Sequence, residues 1–223
     1  MNTTKQYTNT TVNVFTFGPF QENSYIISNN KDNTCWIIDP GCYSTQEEQI
    51  LTQFVAQHQL KPVKLINTHC HLDHIYGNKL IADTYQLDLG IHQNEIPMLE
   101  GAKMAAQMYG LKVPNECKPN YFITTDDVLY LGDIAFKVLF APGHSPGSIC
   151  FYNEVDKYII VGDVLFYGSI GRTDLPMGDY DTLIDSIKTQ LYVLPNDVVV
   201  YNGHGMETTI GHEKKNNPFV RGN

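Results

Sequence analysis

The sequence predicts an α+β protein, a four-layer sandwich with two face-to-face sheets and helices on both outer sides (αββα). Two observations lead there. Strand-length apolar runs come in two groups, and each group carries helical segments with one apolar face. Residues able to bind metals recur just after strand-like runs, where sheet proteins place their chemistry.

Residues 1–11 are polar and rich in Thr and Asn, so a frayed tail is expected ahead of one domain over 12–223. Runs 12–17 and 24–28 read as an antiparallel pair around a longer turn, and 35–39 as a third strand stopped by Pro40-Gly41. Residues 44–59 form a helix: Ser44 is the N-cap, Glu47 sits three residues on, and Ile50, Leu51, Phe54 and Val55 share a face. A buried strand at 63–67 precedes a helix over 74–85 and a short strand at 87–92. Residues 93–125 are the least regular. A helix over 95–109 carries Met98, Leu99, Met104 and Met108, either as core or as a pliable lid. Strands follow at 128–130, 134–140, 148–152 and 157–161, then a helix at 180–191 and a last strand at 198–201.

The composition narrows the function. In 223 residues, 42% are hydrophobic, with 14 Tyr and 10 Phe, enough for a real core. A net charge of −9 argues against an electrostatic nucleic-acid footprint. No apolar run approaches the roughly 20 residues that span a membrane, and the start lacks an apolar signal region. The five cysteines, an odd number with no CxxC pair, fit reduced thiols in a cytoplasmic protein.

The chemistry centres on Thr68-His69-Cys70-His71-Leu72-Asp73-His74, three histidines and a carboxylate within six residues. Imidazole and carboxylate bind borderline divalent metals. His69 and His71 are two apart, so an extended segment points both the same way. Asp73 and His74 point apart from each other, so one loop can serve two metals roughly 3.5–4 Å apart. His144, in a Gly/Pro-fixed loop, Asp163 and His204 each end a strand as well. The ligand count closes. His69, His71 and His144 make one set, Asp73, His74 and His204 the other, and Asp163 bridges them. Three protein ligands per metal is the open geometry of a catalytic site, and a water shared by two cations is hydroxide near neutral pH. Asp73 is also the candidate proton acceptor. Asp39, at the end of its strand, is expected to orient a ligand or the metal loop. His58, His92 and His212 have no assigned partner, and Cys70 reads as structural.

The array His69-x-His71-x-Asp73-His74, followed by His144, Asp163 and His204, resembles the metallo-β-lactamase-fold hydrolases over residues 12–219. Within them the chain is similar to the glyoxalase II-like, short bacterial members. The stretches that carry this are Gly18-Pro19-Phe20-Gln21-Glu22-Asn23, Pro142-Gly143-His144-Ser145-Pro146-Gly147-Ser148 and Gly168-Ser169-Ile170-Gly171-Arg172-Thr173-Asp174-Leu175-Pro176, with Gly211-His212-Glu213-Lys214 and Asn217-Pro218-Phe219 at the end. The resemblance implies two divalent metals, zinc first, with iron or manganese as alternatives. It implies a hydrolase of S-D-lactoylglutathione or a related small thioester; the acidic charge and the lack of a long apolar run speak for no nucleic-acid and no membrane partner. Arg172 is the implied substrate-binding residue. Asp174 and Met206 stand where those enzymes carry aromatics, and their additional helical domain is not expected. A rival on the same fold is a persulfide dioxygenase, with His69, His144 and Asp163 on one iron. A nuclease or a metal-storage module fits the acidic, open-liganded pattern less well.

Overall fold

The computed structural model describes residues 2–125 and 127–221. Neighbouring runs early in the chain pair with one another. β1 (Asn2–Gln6), β2 (Thr10–Phe17), β3 (Glu22–Asn29) and β4 (Thr34–Ile38) form an antiparallel meander. β5 (Lys61–Ile66), β6 (Leu89–Ile91) and β7 (Pro119–Phe122) then add in parallel. Parallel neighbours need a crossover, and α1 (Thr45–Gln57), α2 (Asn78–Tyr85) and α3 (Ile96–Tyr109) supply it. The first sheet therefore runs β1 to β7 in sequence order.

The second sheet begins with the antiparallel strands β8 (Val128–Leu131), β9 (Ile134–Phe140), β10 (Ile149–Asn153) and β11 (Tyr158–Gly162). A small hairpin follows, β12 (Leu165–Phe166) and β13 (Ser169–Ile170). After it come α4 (Tyr180–Ser186) and a wider π turn over Ile187–Leu191. β14 (Val199–Asn202) then joins parallel to β11. β15 (Thr208–Thr209) closes that edge and leads into α5 (Ile210–Asn216).

Alternation along the strands produces the four layers. Ile26, Ile37 and Leu65 face α1, α2 and α3, together with Leu51, Ile81 and Ala106. Their neighbours Ile27, Trp36, Ile38 and Ile66 face the second sheet and meet Phe136, Phe151, Tyr158 and Ile160. On the far side, Ile159, Val161 and Val200 pack under Leu183, Ile187 and Ile210. Both sheets are thus covered on two faces, which is why β3, β10 and β11 are buried at every residue. The expected αββα sandwich is the observed architecture.

Several details depart from the sequence reading. Residues 2–6 are not a frayed tail. They pair backbone to backbone with β2 although every side chain is exposed, and Thr4 Oγ1 donates to Asn13 Oδ1 at 2.9 Å. The 93–125 stretch contains β7, whose leading Pro and polar Asn120 hid it. The helix expected from 74 starts at Asn78, after a 3₁₀ turn at Leu72–His74. The C-terminal α5, capped by Thr209, was not anticipated. No helix among the described residues is long and apolar enough to cross a membrane.

Candidate metal centre

Four segments that follow strands meet at one end of the two sheets. The 67–75 loop leaves β5, the 141–148 loop joins β9 to β10, Asp163 follows β11 and His204 follows β14. Hydrogen bonds fix their relative positions. Gly203 N donates to Gly162 O at 2.8 Å, which sets His204 beside Asp163, and Ile149 N donates to Thr68 O at 2.9 Å. Gly162 has φ +54, and a Cβ there would strike Thr68 Oγ1, so this strand end requires glycine.

The sequence-predicted ligands come together as two triads. His69, His71 and His144 each offer an atom within 4.8 Å of the others, and so do Asp73, His74 and His204. His71 Nδ1 is 2.8 Å from His144 Nε2. Asp73 Oδ2 is 3.2 Å from His204 Nε2. Asp163 lies between the triads. Its Oδ1 is 3.4 Å from His74 Nε2, and its Oδ2 is 3.5 Å from His144 Nε2 and 3.3 Å from His204 Nε2.

The ring orientations are set from behind. His69 Nδ1 meets Thr68 Oγ1 at 3.1 Å, and that hydroxyl itself donates to Asp39 Oδ2 at 2.6 Å. His74 Nδ1 meets Asp39 Oδ2 at 3.1 Å, His144 Nδ1 meets Arg172 O at 2.8 Å, and His204 Nδ1 meets Phe20 O at 3.1 Å. Each of these four rings uses Nδ1–H as donor, which turns Nε2 toward the middle of the cluster, where a metal would bind it in place of a proton or a neighbouring ring. The buried His69 Nε2, His74 Nε2 and Asp163 Oδ1 have no hydrogen-bond partner. Orphaning such atoms costs about 1–3 kcal/mol each, and a divalent cation would satisfy all three. The donor set therefore fits two metal ions.

Asp39 is fully buried and has φ +48, a left-handed conformation that costs a non-glycine residue energy. Four donors hold it there: Thr68 N at 2.7 Å, Thr68 Oγ1, Asn67 Nδ2 at 3.2 Å and His74 Nδ1. Glu22 is equally buried, with Oε1 3.7 Å from His74 Nδ1 and Oε2 accepting from Ser24 Oγ at 2.8 Å. Burial pushes the Glu22 carboxyl well above the usual range, against the pull of His74.

Electrostatics divides the triads. Burial, then neighbouring histidines, hold His69 well below the ordinary imidazole value, and His71 falls to about 3 for the same reasons. Burial also lowers His144, with Asp163 opposing. In the other triad burial works the same way but is outweighed. Asp163 and Asp73 raise His74 well above its usual value and His204 to about 10. Burial would raise Asp163 and Asp73, but His74 and His204 hold both below the ordinary carboxylate value. Without metal, burial favours the neutral form of the three histidines in one triad, while Asp163 and Asp73 favour the protonated form of the two histidines in the other.

Arg172 sits at the site differently from the expectation. Its backbone carbonyl supports His144, while its exposed guanidinium is paired bidentately with Asp174, Nε to Oδ1 and Nη2 to Oδ2, both at 2.7 Å. Phe20 and Tyr109 meet edge to face at 5.7 Å, and the Phe166 ring lies 6.1 Å from the His204 ring. Met98 and Leu99 pack into the outer core, whereas Met104 and Met108 are exposed. His58, His92 and His212 lie outside both triads. Sequence reading passed over Glu22, Asn67, Thr68 and Glu95. Glu22 had a signal, its place in the Gly18-to-Asn23 stretch, and Glu95 had none.

A family model described as the metallo-beta-lactamase superfamily matches residues 17–204. The hydroxyacylglutathione hydrolase GloC of Haemophilus influenzae is 38% identical over 203 residues, covering 90% of this chain and 93% of that protein. Among solved structures, the B3 metallo-beta-lactamase BLEG-1 superposes with a TM-score of 0.85 at 35% identity, covering 93% of this chain and 98% of that one. TTHA1623 in a di-iron-bound form gives 0.83 at 35% identity, covering 93% and 99%.

Proposed function

The chain belongs to the metallo-beta-lactamase superfamily of metal-dependent hydrolases, and on that footing we propose that it is a glyoxalase II-like thioesterase. Its substrate would be S-D-lactoylglutathione or a related small thioester in the cytoplasm. The observation that carries the reading is the seven-residue ligand set with its three orphaned buried atoms. The likeness to GloC supports the substrate class.

Two divalent ions held by the triads, zinc in our reading although iron or manganese suits the same donors, would supply Lewis acidity toward the thioester carbonyl and a lowered pKa for the attacking water. His69, His71 and His144 would hold one ion and Asp73, His74 and His204 the other, with the Asp163 carboxylate available between the two sets. Asp73 takes the proton of the attacking water. The acyl C–O bond forms, the C–S bond breaks, and the sulfur leaves as thiolate, a group that needs no acid. Asp39 and Thr68 keep the His74 and His69 rings aimed. Arg172 binds a substrate carboxylate by exchanging it for Asp174.

The test is hydrolysis of S-D-lactoylglutathione by purified protein, with and without added zinc. Metal-dependent turnover that disappears in His69→Ala and Asp163→Ala is expected. No turnover in metal-replete protein would overturn the substrate assignment. A second reading, a persulfide dioxygenase with His69, His144 and Asp163 on one iron, is kept open by TTHA1623, which takes up iron, although as a pair. One iron per chain with oxygen uptake on a persulfide would put it first.

A further inference from the structure

Glu95 belongs to no triad, yet it is fully buried a short distance from one of them. It closes a 3₁₀ turn, Gln93–Glu95, that links β6 to α3, and His92 caps this turn by accepting from Asn94 N at 3.2 Å. All of its carboxylate contacts go to two ligand loops. Oε2 accepts from Cys70 N at 2.7 Å, the amide between His69 and His71. Oε1 accepts from Ser145 Oγ at 2.7 Å and from Gly147 N at 2.6 Å, on the loop that carries His144. Asn94 Nδ2 adds a contact to Pro146 O at 3.3 Å. Gly147 makes room for this approach, since a Cβ there would sit 2.8 Å from Glu95 Cγ.

The first ligand loop belongs to the first sheet and the second loop to the second sheet. A single carboxylate therefore spans the seam between the sheets at the point where their histidines meet. Asp39 has no such reach. Its contacts stay on the 67–74 loop, reaching His74 directly and His69 through Thr68 Oγ1, and none crosses to the 141–148 loop.

We propose that Glu95 is a positioning residue for the three-histidine metal site, a staple that fixes the distance between His69–His71 and His144. This rests on the two-metal reading above. The carboxylate makes three charge-assisted hydrogen bonds to buried donors, and these are short and directional. Glutamine keeps the shape but turns an NH₂ toward at least one N–H or O–H donor, so the staple opens on one side. Outer groups of this kind set metal affinity by 10–100-fold.

The experiment is zinc competition against a chromophoric chelator on the full chain. In a His204→Ala background the remaining site is the three-histidine one, and in a His144→Ala background it is the other. Glu95→Gln is expected to weaken zinc about 10–100-fold in the first background and by less than about threefold in the second. In the metal-free protein, amide exchange at Cys70 and Gly147 is expected to speed up while the inter-sheet core stays protected. Should Glu95→Gln fail to fold, Ser145→Ala removes a single donor and is expected to weaken the same site severalfold. Equal weakening in both backgrounds, or none in the first, overturns the staple. A chain with native residues that binds no zinc overturns the two-metal reading itself.

Discussion

Replacing Asp39 with Asn changes a carboxylate to an amide of the same shape. Oδ1 receives two N–H groups, from Thr68 and Asn67, so the amide oxygen stays there. The NH₂ then takes the place of Oδ2, which faces Thr68 Oγ1 and His74 Nδ1. An NH₂ donates, so the buried His74 ring must present Nδ1 as acceptor and carry its proton on Nε2. That nitrogen is the orphaned one meant for the metal. The tautomer is inverted without moving an atom. Outer-group losses of this kind cost about 10–100-fold in metal affinity, or about 1.4–2.7 kcal/mol. Charge-assisted bonds at Oδ2 weaken too, at about 1.5–3 kcal/mol each, so a denaturation curve must accompany the titration to show that the variant is folded. Zinc titration of chelator-stripped Asp39→Asn protein should show the site that uses His74 weakened by that factor and the site that uses His69 weakened less, through Thr68 Oγ1, with the circular dichroism unchanged. Two sites of unmodified affinity would refute the tautomer argument.

Other expectations follow from the same geometry. Trp36→Ala empties the inter-sheet seam beside Phe136, 4.6 Å away, and should cost about 3–5 kcal/mol in chemical denaturation. Gly203→Ala would drive a Cβ into Asp163 Oδ1 and to 2.8 Å from His74 Cε1, so zinc binding and turnover should collapse while the far-ultraviolet circular dichroism is retained. Zinc at the Asp73, His74 and His204 triad must displace protons, because His74 is raised and His204 lies at about 10, whereas His71 at about 3 is already free. Occupancy of that triad should therefore fall as pH drops from 8 to 6, with the three-histidine site holding its ion, and calorimetry in buffers of different ionisation heat should record proton release. The sign for the metal-free protein is the reverse of an acidic group's. His204, raised from 6.5 in the unfolded chain, adds stability that is complete below that value and is lost as pH climbs to about 10. A flat urea midpoint between pH 6.5 and 10 would contradict this.

Most of the sandwich can be read from residue order because its strands are continuous apolar runs and its helices are amphipathic. β3, β10 and β11 are buried throughout and announce themselves. The Ser44–Glu47 capping box fixes the start of α1 in the sequence and in the structure. Short or polar elements held mainly by backbone pairing leave no such trace, as with β1, exposed at all five residues, and the two-residue β15. The 180–191 segment keeps a helical pattern, but its last five residues wind into a π turn. At the site, the spacing of His69, His71, Asp73 and His74 shows which residues converge, since the ligands are close in sequence or end strands. It does not show Glu95, and Glu22 is marked only by its place in the Gly18-to-Asn23 stretch. Their importance comes from burial and from partners far along the chain, and a lone glutamate in a polar turn carries neither fact in its neighbours.

The outermost strand of the first sheet has a consequence for how the protein behaves in solution. β1 offers only Asn, Thr, Lys and Gln to its surroundings, and behind it β2 carries Val12, Val14, Phe15 and Phe17. A chain lacking residues 2–6 would present β2 as a bare edge, eight residues long and rich in β-branched and aromatic side chains. Such an edge invites another chain to pair with it. The short polar strand at the start thus acts as a guard against self-association, and an N-terminal truncation should be judged by turbidity and light scattering before its activity is measured.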